Sequence, residues 1–314
     1  MKLASSNPLT SIIIVSWNRL GFLIKALDAI KKITYSPLEV IVVDNGSQDG
    51  TPEFIKDHYP EVRLICLPKN IGISAYNVGC ASAHGEYLII SDDDAFLDKD
   101  AISLVVEAFA KEPELGAIAF NVIDMRTNRP WKRWQLPRSN KPIEYYALIG
   151  CGFAIRRSLF AKIGGYPPYF FMYMNEIDTA IKVLKTGQKI KFFPNIIVYH
   201  AFAPANRSWR GMYYTLKNSL LLFWKYFPLG LALRLTFHRL LISVVVAIKL
   251  KAPGGYFKAI LKAVTEYPGY QSYFPVARLK PNELEKLRPF LEANSFIYRV
   301  KMVLKEGFDL GKYK

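Results

Sequence analysis

Residues 87–94 read YLIISDDD. The run Tyr87–Ser91 is short, apolar and rich in isoleucine, which marks a buried strand. It passes directly into three consecutive carboxylates. Two runs of the same kind lie upstream. SIIIVS (11–16) ends in Ser16-Trp17-Asn18, and LEVIVV (38–43) ends in Asp44 and a turn signal, Asp44-Asn45-Gly46-Ser47. The segments between them change period. Leu20–Ile33 has helical spacing at Leu20, Leu23, Ile24, Leu27 and Ile30. Thr51 has the character of an N-cap with Pro52 at the first helical position. Val62–Leu67 reads as a strand, Ser74–Ala83 as a helix closed by Gly85, Asp100–Lys111 as a helix and Gly116–Asn121 as a strand. Strands alternating with helices predict an α/β fold: a mostly parallel central sheet, Rossmann-like, with helices on both faces. Ligands of such a sheet sit beyond the carboxyl ends of its strands. One crevice lined by Ser16, Trp17, Asn18, Asp44 and Asp92–Asp94 is therefore expected. No GxGxxG follows the first strand and no GxxxxGK[ST] occurs, so dinucleotide and P-loop chemistry lose ground.

The triplet carries the sharpest chemistry. Alternate side chains of an extended segment share a side, so Asp92 and Asp94 converge while Asp93 turns away. Converged carboxylates repel unless a positive charge lies between them. Oxygen ligands of this kind suit Mg²⁺ or Mn²⁺ bridging to a substrate phosphate. The plainer readings are a solvated acidic turn or a helix cap for the triplet, an Asx-turn for Asp44, and a core aromatic for Trp17.

Composition sets the outer bounds. The chain has 314 residues, 51% of them hydrophobic, which excludes disordered and disulfide-stapled classes. Three cysteines, Cys66, Cys80 and Cys151, form no CxxC pair and fit a reduced cytosolic setting. The polar start and the short Ile12–Val15 run predict no secretion signal. The net charge of +16 is unevenly spread. Residues 1–200 are net +3, residues 201–280 are net +11 with Glu266 as their one acid, and residues 281–314 are net +2. A basic block that is also rich in Leu, Val, Phe and Tyr favours an anionic partner.

Within that block Leu229–Leu250 has 22 residues, 15 of them apolar, but its longest charge-free run is nine residues, Leu240–Ile248. That is short of the ~20 residues a bilayer span needs. On a helical wheel Arg234, His238 and Lys249 fall within about 60°. An amphipathic helix lying in a membrane interface, followed by Lys251, Lys258 and Lys262, is the expectation; packing on the catalytic domain or in a homodimer is the alternative. Pro253-Gly254-Gly255 reads as a helix break, and Asn282–Lys305 as a last helix interrupted at Pro289.

Taken in order, SIIIVSWNR (11–19), VIVVDNGSQDGT (40–51), PKNIGISAYNVGCASAHGEYLIISDDD (68–94), GCGFAIRRSLFAKIGGYPPYFFMYMNEIDTAIKVLKTGQKI (150–190), YHAFAPANR (199–207) and YYTLKNSLLLFWKYFP (213–228) resemble the family 2 inverting glycosyltransferases of GT-A fold. The branch most similar contains rhamnosyl- and galactofuranosyl-transferases. The resemblance spans roughly residues 9–228. It implies a catalytic domain over 1–228, with a nucleotide-binding half to about 121 and an acceptor-binding half from about 122, and a basic helical extension over 229–314. By the same resemblance Ser16, Trp17, Asn18 and Asp44 hold the nucleotide base. Asn70, Gly72 and Asn77 pack around the nucleotide. Asp92, Asp93 and Asp94 are the Asp-x-Asp motif touching ribose and the metal-held diphosphate, with Asp92, Asp94 and His200 as metal-site residues. The family's usual Glu-Asp-x-Asp-Leu reads Asn175-Glu176-Ile177-Asp178-Thr179 here, which puts Glu176 at the base position. Asp178, two residues on, points about 200° away on a helix and takes a supporting part. Gly150, Cys151 and Gly152 fall under the donor sugar, where small residues let backbone approach closely. The stretch 129–146 offers Trp131 and Trp134 among basic residues as an acceptor loop, with an anchoring hairpin as the alternative.

The implied reaction is one displacement: Glu176 takes a proton from an acceptor hydroxyl, whose oxygen attacks the anomeric carbon of a UDP- or dTDP-sugar. The acceptor is a glycan or a lipid-linked glycan. The implied setting is cytoplasmic, on the inner face of the cell membrane, without nucleic acid. Two other classes stay open: a sugar nucleotidyltransferase of related fold, and a non-catalytic basic protein binding lipid or nucleic acid.

Overall fold

The computed structural model describes residues 7–130, 137–201 and 208–294. Ten strands are found among them: β1 Thr10–Ser16, β2 Leu38–Asp44, β3 Arg63–Cys66, β4 Tyr87–Asp92, β5 Ala95–Leu97, β6 Leu115–Asp124, β7 Arg129–Pro130, β8 Ile143–Glu144, β9 Gly152–Arg156 and β10 Lys189–His200. The helices are α1 Leu20–Ile30, α2 Thr51–His58, α3 Ala75–Ser82, α4 Ala101–Lys111, α5 Arg157–Lys162, α6 Asn175–Lys185, α7 Trp209–Tyr226, α8 Leu229–Lys249, α9 Pro253–Tyr273, α10 Pro281–Lys286 and α11 Arg288–Ala293. A 3₁₀ turn, Gly72–Ser74, leads into α3.

The chain folds as two compact units. The first runs to Tyr166 and resumes from Lys182 into β10. The second joins Pro167–Ile181 to the helices from α7 onward. This differs from the expected boundary at 228, because α7 packs chiefly against α8 and α9.

In the first unit the strand order is β3-β2-β1-β4-β9-β6-β10-β5. Strands β3, β2, β1 and β4 are mutually parallel, as are β6 and β10. Their all-apolar character follows from this placement: Ile12, Ile13 and Ile14 are covered on both faces and fully buried. One feature departs from the expected simple order. β9 enters between β4 and β6, antiparallel to both. α1 and α4 bury one stripe each, Leu23, Ala26, Leu27 and Ile30 on the former and Ile102, Val105, Ala108 and Phe109 on the latter. The start of α2 also differs from the sequence reading. Thr51 is already helical, and Gly50, at φ 80°, stands before it.

In the second unit α7 is enclosed by its neighbours, with Leu216, Asn218, Leu222, Phe223 and Tyr226 buried. α8 is long and apolar enough to cross a membrane by length and composition. The sequence-expected final helix is broken into α10 and α11, which meet at Leu287 ahead of Pro289; its remainder beyond residue 294 lies outside the described residues.

Candidate active site

Register brings the polar strand ends of the first unit together. Ser16 pairs with Asp44 across β1 and β2, and Val15 with Asp92 across β1 and β4. His200 arrives from the far side of the sheet. It closes β10, where it pairs with Ala95 of β5, the residue after Asp94. The backbone N–H of Ala201 also donates to the Asp94 carbonyl at 2.9 Å. Asp92, Asp94 and His200 each place one ligand atom within 4.8 Å of the others. His200 Nε2 lies 3.1 Å from Asp94 Oδ1. Two carboxylates and an imidazole converging at a strand edge make a donor set that fits a hard divalent cation.

The sequence reading had Asp93 turning away. Its carboxylate is instead buried, accepts from Ser16 Oγ at 2.9 Å, and meets Arg19 Nη1 at 2.9 Å. The same Arg19 nitrogen is 2.9 Å from Asp94 Oδ2. Arg19 thus straddles two adjacent carboxylates. Tyr76 Oη donates to Asp92 Oδ1 at 2.6 Å and to the Ser91 carbonyl at 3.0 Å. The electrostatics divide the triplet. Burial, then repulsion by Asp94, raises the Asp92 pKa. Burial pushes Asp93 up to about 7 despite Arg19. Burial acts on Asp94 the same way, but the His200 hydrogen bond and charge, with Arg19, outweigh it and hold Asp94 low.

The neighbouring loops are stitched to one another. Asn18, at φ 53°, accepts from the Gln48 N–H at 2.7 Å and donates its own N–H to Ser47 Oγ at 2.9 Å. Trp17 beside it is 48% exposed, so it is no core aromatic. Asp44 Oδ2 accepts the Ser47 N–H, three residues on, at 3.1 Å, while its buried Oδ1 has no hydrogen-bond partner among the described residues. Such an atom is costly unless a ligand supplies the donor. Asn45 reaches Asn70 Oδ1 at 3.1 Å and the Gly72 carbonyl at 3.2 Å, and accepts from Ile71 N–H at 2.9 Å. Asn70 caps Gly72 N–H at 2.8 Å. Gly46 sits at φ 80°, and a Cβ there would lie 2.8 Å from Lys69 Cα, so only glycine fits.

Other expected site residues make contacts of a different kind. Asn77 is engaged with backbone, donating to the Tyr166 carbonyl and accepting its N–H, each at 2.8 Å. Gly152 begins β9 opposite Ser91, and a Cβ there would come within 2.6 Å of Val198 Cγ1. Its smallness therefore serves the sheet packing. Cys151 is buried before it and Gly150 half-buried. Trp131 and Trp134 lie outside the described residues.

Glu176 and Asp178 open α6 in the second unit, and their surroundings contrast. Glu176 is half-buried. Asp178 is fully buried and accepts from Tyr226 Oη at 2.7 Å and Tyr270 Oη at 2.6 Å. The two residues before α6, Tyr173 and Met174, have φ of 68° and 67°, conformations that cost non-glycine residues about 1–2 kcal/mol each. Asn218 holds this segment by donating to the Met172 and Tyr173 carbonyls, both at 2.9 Å. Sequence reasoning missed Arg19, Asn45, Tyr76, Asn218 and the two tyrosines. Of these all but Tyr270 stand inside the motifs quoted for the resemblance, without a spacing that marks their partners.

Comparison with known proteins supplies the family and the fold. An N-acetylglucosaminyl-diphospho-decaprenol L-rhamnosyltransferase of Mycobacterium tuberculosis (strain CDC 1551 / Oshkosh) is 23% identical over 231 residues, 60% of this chain and 75% of that protein. The mannosyltransferase PcManGT from Pyrobaculum calidifontis, solved in complex with GDP-Man and Mn2+, shares the fold. Its TM-score is 0.58 at 20% identity, over 96% of this chain and 85% of its own. S. aureus TarS 1-349, solved in complex with UDP-GlcNAc, has a TM-score of 0.62 at 17% identity over 95% and 92%. The family model for glycosyl transferase family 2 matches residues 11–181, more than half of the chain, and with it strands β1 to β9 and the start of α6. This protein is a glycosyltransferase, a member of family 2.

Proposed function

We propose that this glycosyltransferase moves a sugar from a UDP- or dTDP-sugar to a hydroxyl of a glycan or lipid-linked glycan, with inversion, in the building of a cell-envelope polysaccharide. The observation that carries the reading is the meeting of Asp92, Asp94 and His200 beside Asp44, whose buried Oδ1 is an acceptor in need of a donor. An N–H of a nucleotide base supplies such a donor, and the exposed face of Trp17 lies next to the same loop. Asp92, Asp94 and His200 would hold Mg²⁺ or Mn²⁺, which when bound offsets charge on the departing nucleoside diphosphate. The chain's own residues do the rest. Ser16 and Arg19 fix Asp93, and Tyr76 fixes Asp92, so the carboxylates keep one geometry. Glu176, at the first turn of α6, accepts the proton of the acceptor hydroxyl. No second carboxylic acid is assigned, because a cation held by Asp92, Asp94 and His200 would offset the leaving group's charge; glycoside hydrolases use two carboxyl groups. The L-rhamnosyltransferase similarity favours a deoxyhexose donor, and the decaprenol in that relative's name favours a lipid-linked acceptor.

The test is donor turnover with UDP- and dTDP-sugars, with and without Mn²⁺. The Glu176→Gln variant lowers turnover about a hundredfold or more and leaves nucleotide Kd nearly unchanged. An active Glu176→Gln beside a dead, folded Asp178→Asn overturns the base assignment. Turnover indifferent to chelator overturns the cation.

A further inference from the structure

From Leu229 to Lys280 the chain has eight Lys and Arg and one acidic residue, Glu266. That acid is committed inward: its carboxylate meets the buried Lys217 ammonium of α7 at 2.6 Å. The outward surface of α8 and α9 is therefore apolar and cationic with no opposing charge of its own. On α8 the buried row is Ala232, Leu235, Arg239, Ser243 and Ala247. The exposed row is Leu229, Leu233, Phe237, Leu241, Val245 and Ile248, between 40% and 70% exposed. At 100° per residue the two rows centre about 150° apart. α9 repeats the design, with Ala259, Ala263 and Tyr270 buried and Phe257, Leu261 and Val264 exposed on the opposite side. Large apolar side chains in rows on neighbouring helices mark an interaction surface. The exposed Arg234, Lys249, Lys251, Lys258 and Lys262 flank those rows.

We propose that α8 and α9 seat the protein in the interface of an anionic bilayer, the apolar rows entering the acyl boundary and the flanking cations meeting lipid phosphates. Charge complementarity selects this occupant over a second copy of the chain, whose matching face would bring the same cations together. The protein-packed row of α8, with Arg239 hydrogen-bonded to Asn294, makes the helix lie along a membrane rather than cross it. The lipid-seated unit also carries the start of α6. Lys217 donates to the Tyr169 carbonyl at 2.6 Å, Asn218 holds the strained pair, and Tyr226 and Tyr270 grip Asp178. Bound lipid thus places Glu176 at a fixed station relative to the bilayer. That last clause rests on Glu176 being the base; the lipid contact does not.

Flotation of the full chain with vesicles tests it. Wild type floats with an equal mixture of phosphatidylcholine and phosphatidylglycerol, weakly with phosphatidylcholine alone, and less in high salt. Leu233→Ser with Phe237→Ser lowers partitioning about tenfold or more, and Lys258→Glu with Lys262→Glu does so for the anionic vesicles only. Both variants keep the wild-type nucleotide Kd and melting temperature, which excludes misfolding. Wild type that ignores both vesicles, or binds both equally, overturns the proposal. So do variants that float like wild type, including any that merely dissociate a dimer, and so does retention on DNA without flotation. Failures are separable: a protein that floats but transfers no sugar removes the proposed reaction, whereas one that glycosylates a soluble acceptor and never floats removes only the lipid surface.

Discussion

Asp94 and Asp178 are both carboxylates enclosed by the fold, yet their surroundings point in opposite directions. Asp94 stands among its own kind, next to Asp93 and converging with Asp92, and is held down by Arg19 and His200. Asp178 is gripped at Oδ1 by two phenol hydroxyls. Clustered carboxylates repel one another and favour a positive charge between them. A carboxylate oxygen gripped by two hydroxyl donors ties elements together. The proposed function makes the first a place that receives a ligand and the second a place that holds the chain.

Substitution should split the two. Asp94→Ala lowers turnover in Mn²⁺ about a thousandfold, the several kcal/mol a Lewis acid supplies, while unfolding stability without cation moves by less than about 1 kcal/mol. Steady-state rates and urea titrations measure both; unchanged turnover with lost stability would erase the distinction. Asp178→Ala does the reverse. Two buried hydroxyls lose their acceptor, at a cost of about 3 kcal/mol by urea titration, and any fall in turnover tracks the folded fraction. Glu39 supplies the smallest effect and a control on the same sheet. Its carboxylate is partly buried, which alone would raise its pKa, but it accepts from the Ser11 hydroxyl and from the backbone N–H of His84 and Gly85, and the balance lowers it. A lowered folded value means a contribution present above the ordinary 4.5 and lost as pH falls through the value below it. The stability gap between wild type and Glu39→Gln, about 1 kcal/mol at neutral pH, should close in acid; a gap that widens there reverses the sign.

Much of this was legible from sequence because it is local. A buried parallel strand is written as a continuous apolar run, and its end shows where polar residues resume, so Ser16, Asp44 and Asp92 were placed by counting. The roughly opposite facing of Glu176 and Asp178 follows from helical pitch alone, and the structure gives them unlike surroundings. What could not be read is what depends on partners distant in sequence. Nothing near Asp178 announces Tyr226 or Tyr270, 48 and 92 residues away. Nothing near Asp93 announces Arg19, 74 residues before it. The entry of β9 between β4 and β6 is a matter of pairing choice, which an apolar run of five residues does not encode.

The pairing of β5 with the end of β10 has a consequence in time. Asp94 follows β4, which is no neighbour of β10 in the sheet, and it meets His200 because Ala95 registers against that histidine. A chain still emerging from the ribosome has its aspartates long before its histidine. Until residue 200 is delivered and the last strand docks, the proposed cation site lacks a wall, so capture of a divalent ion there would report that the sheet is complete.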